Sequence, residues 1–273
     1  MITRIGNRRF GDSTYIMGIL NVTPDSFSDG GRYTELDSAL YRVEKMLADG
    51  ADIIDVGGES TRPGSEPVSA EEEALRVVPV VSAIASRFDV PVSVDTFKAE
   101  TARAALGAGA VMVNDINGFC GDNGEMAAVT AEFDAACCLM YNNLLYESES
   151  DDFIEKIREA LCRSIAVAKR FNVRKDGIVL DGGIGFGTSV GQCTEMLANY
   201  DRLGIDDFPM LLGASRKSFL GSLLGQPVDM RLSGTLATTA WAAMHGCRFV
   251  RVHDIAENRD VIRTISEINR HKK

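Results

Sequence analysis

Eight short apolar runs, each followed by a longer stretch with helical spacing, constrain this chain more than any other feature. The runs are Tyr15 to Val22, Asp52 to Val56, Val90 to Val94, Ala110 to Val113, Ala135 to Met140, Gly177 to Leu180, Met210 to Gly213 and Phe249 to Val252. Short β-branched-rich runs alternating with helices imply βα units and a parallel sheet buried on both faces. Eight units in 273 residues is 273/8, about 34 residues each. That suits a (β/α)8 TIM barrel forming one domain over residues 1–273. An eight-stranded doubly wound sheet is the alternative on pattern alone.

The segments between the runs read as helices. Ser69-Ala70-Glu71-Glu72 matches a capping box, with Pro79 expected to kink or break the helix that follows. Asp151 to Asn172 is long and amphipathic, with acids in its first turn where the helix dipole favours them. Leu36 to Ala48, Ala99 to Leu106, Glu195 to Leu203, Leu232 to Met244 and Ile255 to Asn269 follow the same plan.

Charge and cysteine usage narrow the function classes. The net charge is −10, from 29 basic and 39 acidic residues, which argues against a nucleic-acid partner. Cys120, Cys137, Cys138, Cys162, Cys193 and Cys247 show no CxxC spacing, so neither a zinc site nor a disulfide scaffold is expected. Reduced thiols in a cytoplasmic protein fit this pattern. The opening MITRIGNRRF has no apolar leader, and no apolar stretch is long enough to span a membrane.

Seven of the eight runs close on polar residues: Asn21, Asp55, Asp95, Asn114-Asp115, Asp181, Ser215-Arg216-Lys217 and Arg251-His253-Asp254. Barrel active sites form at the C-terminal strand ends, where the βα loops begin. One half of the expected rim is rich in donors: Asn21, Thr61, Arg62, Ser215, Arg251 and His253. Arginine makes bidentate contacts with phosphate oxygens, and the Asn21 carbonyl suits a hard cation such as Mg2+. The backbone N–H groups of residues 213–218, leaving a strand for a helix, are expected to hold an anion. The other half holds Asp95, Asn114 and Asp181, with Lys217 nearby. Carboxylates and an amide in an apolar mouth match a heterocycle with a donor–acceptor edge, because a buried acid without such a partner is costly. A ligand-free Asp181–Lys217 ion pair is the other explanation for those two residues. The loops 23–31 and 57–64, one carrying Phe27, are expected to act as lids.

Seven segments then carry a resemblance. MGILNVTPDSFSDGG (17 to 31), DIIDVGGESTRPG (52 to 64), VSVDTFK (92 to 98), VNDI (113 to 116), LDGGIGFG (180 to 187), LLGASRKSF (211 to 219) and RVHD (251 to 254) together make the chain resemble the dihydropteroate synthases. The resemblance implies a (β/α)8 barrel joining 6-hydroxymethyl-7,8-dihydropterin pyrophosphate to para-aminobenzoate in folate biosynthesis, with release of pyrophosphate. It implies pterin contacts from Asp95, Asn114, Met140, Asp181, Phe186 and Lys217. Pyrophosphate and Mg2+ fall to Asn21, Thr61, Arg62, Arg251 and His253, with Asn21 the metal ligand. The para-aminobenzoate side is Phe27, Thr61, Pro63, Ser215 and Lys217. Asp95, Lys217, Arg251 and His253 are the expected catalytic group. A homodimer and sensitivity to sulfonamides are also implied.

Two other functions share part of this pattern. A methyltetrahydrofolate-dependent methyltransferase shares the acid–amide pterin signature but should lack TPDSFSDGG and SRKSF. A catalytically degenerate pterin-binding paralogue is suggested by three departures from the family. Asp181-Gly182-Gly183 stands where Asp-Pro-Gly is usual, Thr188 where Lys is usual, and Met140-Tyr141 where Met-His is usual. The last two remove a cation and an imidazole from the neighbourhood of the expected mouth.

Overall fold

The eight apolar runs become eight parallel strands that close on themselves. A computed structural model describes residues 1–23, 32–60 and 66–271, with the backbone alone for 32–35. The strands are β1 (Thr3–Ile5), β2 (Arg8–Phe10), β3 (Tyr15–Asn21), β4 (Ile53–Gly57), β5 (Val92–Asp95), β6 (Met112–Asp115), β7 (Ala136–Met140), β8 (Ile178–Asp181), β9 (Met210–Leu212) and β10 (Phe249–Val252). Strands β3 to β10 pair in chain order, and β10 closes onto β3 with Arg251 opposite Met17. The fold is therefore a (β/α)8 barrel, since a doubly wound sheet would reverse its order and leave open edges.

Closure decides which residues face the lumen. Side chains alternate along each strand. Ile54, Val56, Val92, Val94, Val113, Leu180 and Val250 point outward into the core beneath the helices. Met17, Ile53, Met112, Ala136, Cys138, Val179, Leu211 and Phe249 face inward and fill the lumen. Two residues further along the same inner rows come Asp55, Asp95, Asn114, Asp181 and Arg251. Strands β4, β6, β8 and β10 thus each place an apolar residue low in the barrel and a polar one at its mouth, and on β5 Ser93 lies below Asp95.

The opening residues, which show no strand pattern by eye, form the β1–β2 hairpin. Gly6 at φ 58° takes the first position of its two-residue turn, a backbone state cheap only for glycine. Ile5 and Phe10 pack with Met17 and Phe249, so the hairpin stoppers the N-terminal end of the lumen.

The helices mostly follow the sequence. Ser69 Oγ accepts from Glu72 N at 3.1 Å and starts Ala70–Arg87. That helix is not broken at Pro79. Proline removes one N–H, and the carbonyl it deprives belongs to Leu75, an exposed position where water replaces the lost donor. Asp152 caps Phe153–Arg170, accepting from Ile154 N at 2.9 Å. The Glu195 to Leu203 segment begins earlier than expected, because Ser189 and Gln192 form a full capping box for Val190–Ala198. Tyr200–Leu203 is a separate turn, and Glu125–Glu132 is an additional helix. Among the described residues no helix is long and apolar enough to cross a membrane.

Candidate active site

The strand ends converge on one charged cluster above the apolar lumen. Arg251 Nε donates to Asp55 Oδ2 at 2.6 Å, and Arg251 Nη2 donates to Asp95 Oδ2 at 2.5 Å. Asn114 Nδ2 donates to the same Asp55 oxygen at 3.0 Å. Strands β4, β6 and β10 are thereby tied through one buried acid, and β5 joins them through the guanidinium of Arg251. The other carboxylate oxygen of Asp55, Oδ1, is buried with no hydrogen-bond partner among the described residues. A buried acceptor of that kind calls for a donor.

Asp55 is the residue of this cluster that the sequence reading left out of the site. It closes the second apolar run, yet IIDVG reads as a continuous core strand. The available signal was its two-residue spacing from Ile53 and Gly57, which puts it on the lumen side.

Asp181 and Lys217 lie on the opposite wall. Asp181 Oδ1 accepts from Gly183 N at 2.8 Å. Burial raises the Asp181 carboxyl above its usual range, while Lys217 pulls it down. The ammonium of Lys217 donates to the Ile184 carbonyl rather than directly to Asp181 and sits 4.3 Å from the centre of the Phe186 ring. Burial lowers Lys217 to about 8, against the opposing pull of Asp181. Burial also pushes Asp95 up to about 7 despite Arg251, and Asp55 adds to the rise. Burial opposes the charge on Arg251, but Asp95 and Asp55 more than compensate and hold it firmly cationic. Three acids face two cations here, and with all five ionised the cluster is one positive charge short of balance.

Other expected residues fall around this centre. Asn21 ends β3 half-buried, and Asn21 Oδ1 and Asp95 flank Gly57. Met140 is buried under Gly183, and Phe186 is half-buried. Ser215 Oγ lies 3.0 Å from His253 Nδ1 and accepts from His253 N at 3.2 Å. Phe27, Thr61, Arg62 and Pro63 lie outside the described residues, as do the rest of 24–31 and 61–64 in the two loops expected to act as lids. Among the described residues no group of three or more His, Cys, Asp or Glu gathers to hold a metal.

One expectation narrows and another needs correction. The backbone cradle over residues 213–218 is already partly spent, because Arg216 N donates to Thr235 Oγ1 at 3.0 Å and Lys217 N to the Ala214 carbonyl at 3.3 Å. Tyr141 does not face the mouth. It follows Met140 in alternation, so it points outward, edge-on to Tyr146 and Phe153 in the helix layer. Its hydroxyl donates to Asn143 Oδ1 at 2.6 Å, and Asn143 Nδ2 donates to the Gly187 carbonyl at 2.7 Å. Thr188 Oγ1 accepts from Gly185 N at 2.9 Å. These two departures from the family therefore brace the loop that carries Phe186. The third, Gly182, has no left-handed φ, and a Cβ there would press on the flexible Met196 side chain, 3.0 Å from Sδ; the strict demand for glycine falls on Gly183. There φ is +71° and a Cβ would lie 1.8 Å from the Tyr141 carbonyl oxygen.

Barrel, acid cluster and flanking arginine, lysine and histidine together place the chain among enzymes built on a (β/α)8 barrel with a polar mouth. The chain belongs to the pterin binding enzyme family, which matches residues 17–253. It is 50% identical over 260 residues to a dihydropteroate synthase of Clostridium beijerinckii, covering 93% of this chain and 95% of that one. The crystal structure of a dihydropteroate synthase from Clostridium difficile, determined in the presence of pteroic acid, superposes with a TM-score of 0.91. Identity there is 45%, over 96% of this chain and 98% of that one. A dihydropteroate synthase of Xanthomonas albilineans with 4-aminobenzoic acid gives a TM-score of 0.91 at 35% identity, over 100% and 99% of the two chains.

Proposed function

We propose that residues 1–273 act as one pterin-binding barrel with dihydropteroate synthase activity. The enzyme condenses 6-hydroxymethyl-7,8-dihydropterin pyrophosphate with para-aminobenzoate to 7,8-dihydropteroate and pyrophosphate. The observation that carries the site assignment is the convergence of Asp55, Asp95, Asn114 and Asp181 at one mouth of the lumen, with Asp55 Oδ1 unpartnered among the described residues. An aminopyrimidinone edge presents N–H donors to such acceptors and a carbonyl to Lys217 or Asn114. Phe186 and Met140 supply apolar walls.

In the reaction the C–O bond between the pterin methylene and the pyrophosphate breaks, and the aniline nitrogen bonds to that carbon. The aniline is a weak nucleophile, so bond breaking leads and positive charge spreads into the ring. Anionic Asp95 and Asp181 stabilise that charge. Arg251 spends Nε and one Nη2 proton on the acids, and a guanidinium carries five donors. The remaining donors, with His253, meet the departing pyrophosphate. Ser215 faces the carboxylate of para-aminobenzoate. The anilinium proton leaves to solvent with the completed product.

One hard oxygen, Asn21 Oδ1, does not make a resident metal site. It fits Mg2+ that arrives on the pyrophosphate, since Mg2+ keeps waters and takes few protein ligands beside substrate phosphates. When bound it supplies charge neutralisation of the leaving group. A homodimer is supported by large exposed apolar residues within one stretch: Leu223, Leu224, Val228, Met230, Trp241 and Met244. Free thiols at all six cysteines suit a reducing, cytoplasmic setting.

The test is a steady-state assay with both substrates and Mg2+. Formation of dihydropteroate and pyrophosphate in equal amounts is expected. Pterin binding without turnover would leave only a binding protein.

A further inference from the structure

We propose that Arg216 is a positioning residue whose left-handed backbone aims its two neighbours, Ser215 and Lys217, into the barrel mouth. The proposal rests on that mouth being the active site. Arg216 has φ 57°, a region that L-residues other than asparagine and aspartate seldom occupy and that achiral glycine enters freely. Such outliers persist only where the surroundings over-determine them.

Here they do so from three directions. Arg216 N donates to Thr235 Oγ1 at 3.0 Å, and Thr235 is fully buried. The Arg216 carbonyl accepts from Arg231 Nη1 at 3.0 Å. The guanidinium grips both oxygens of Asp254, through Nε at 2.9 Å and through Nη2. Backbone donor, backbone acceptor and side chain are each held, and the side chain is turned away from the mouth.

The neighbours go the other way. Ser215 Oγ reaches His253 Nδ1 at 3.0 Å. Lys217 reaches the Ile184 carbonyl and lies over Phe186. In a strand, alternation would place residues 215 and 217 on one face and 216 on the other. Strand β9 ends at Leu212, so no ladder enforces alternation beyond it. The kink at Arg216 and its anchors supply what the ladder no longer does. A glycine would adopt this backbone at no cost but would contribute no anchor.

The experiment compares Arg216→Ala with Arg216→Gly in the full chain. Both lose the guanidinium, but only glycine accepts positive φ freely. Two readouts are taken: steady-state turnover, and the pH midpoint at which an acylating reagent modifies Lys217, followed by mass spectrometry. The native midpoint is expected near 8. In Arg216→Ala it should rise by about one unit or more as Lys217 leaves its buried place, and kcat/KM should fall at least about tenfold. Arg216→Gly should keep the native midpoint and stay within about threefold of native kcat/KM. If Arg216→Ala does not fold, Asp254→Asn, which loosens the guanidinium alone, should raise the midpoint, and a native midpoint there overturns the proposal. Glycine as impaired as alanine, or both variants behaving as native, also overturns it. So does a glycine variant with a native midpoint but no turnover, since the guanidinium would then act on the reactants itself. A native chain without turnover would instead refute the functional reading, and the Lys217 midpoints would still decide this one.

Discussion

Asp55 and Arg251 stand face to face inside the barrel, Arg251 Nε 2.6 Å from Asp55 Oδ2. Asp55 comes from β4 and Arg251 from β10, 196 residues apart in sequence, and neither is fully solvated. Asp95 shares the same guanidinium. One cation between two acids keeps both carboxylates fixed without neutralising both, which leaves the site short of positive charge and receptive to a ligand rich in donors.

Removing the Asp55 charge while keeping its shape should therefore loosen Arg251 and misplace Asn114. Asp55→Asn is expected to fold, to lose about 2 kcal/mol of stability, and to bind pterin about tenfold more weakly. Urea denaturation and calorimetry measure the two effects. Native values for both would remove Asp55 from the site.

Asp95→Asn keeps the same outline but cannot stabilise a developing cation. Turnover is expected to fall by about 10²-fold, roughly 3 kcal/mol. Circular dichroism should stay native. Near-native turnover in the folded variant would exclude the electrostatic role.

The acidity of Asp95 also predicts a pH signature. Its carboxyl rises in the folded chain from an ordinary 3.8 to about 7. The unfolded chain therefore ionises it more readily, so its contribution to stability is full below about pH 4 and is lost as pH rises through 7. Asp95→Asn has no such loss. The stability difference, variant minus native, should shift in the variant's favour by more than about 1 kcal/mol between pH 4 and pH 7. Urea midpoints across that range test it, and a flat difference would contradict the raised acidity.

Chelation separates a substrate-borne metal from a structural one. EDTA should abolish turnover and leave the melting temperature of the ligand-free chain unchanged, because no described cluster binds a metal by itself. A clear drop in melting temperature would point to a resident ion.

The apolar stretch from Leu223 to Met244 should be covered by a second copy of the chain. Sedimentation of the native protein is expected to give twice the 29.5 kDa chain mass. Met230→Asp should shift the equilibrium towards monomer, since a charge at an exposed apolar contact is desolvated on association. A native monomer would dismiss the dimer.

The sequence by itself determined the order of eight βα units, the strand positions to within a few residues, and the polar residues at their ends. Those follow from local chemistry: apolar runs of strand length, caps such as Ser69 and Asp152, and motif segments whose residue types carry the site. Tertiary structure alone decided parity and partners. A parallel strand buried on both faces reads as continuously apolar, so IIDVG hides that Asp55 faces the lumen, and LMY hides that Tyr141 faces the helices. Barrel closure breaks that tie, because only alternate residues can point into the lumen. It also brings Arg251 across to Asp55 and Asp95 and buries Lys217 deeply enough to lower its basicity. The hairpin stopper and the left-handed Arg216 escaped for the same reason. Each is held by residues distant in sequence, Phe249 and Met17 for the hairpin, Thr235, Arg231 and Asp254 for the arginine, and no local pattern encodes a contact that exists only after the chain has closed.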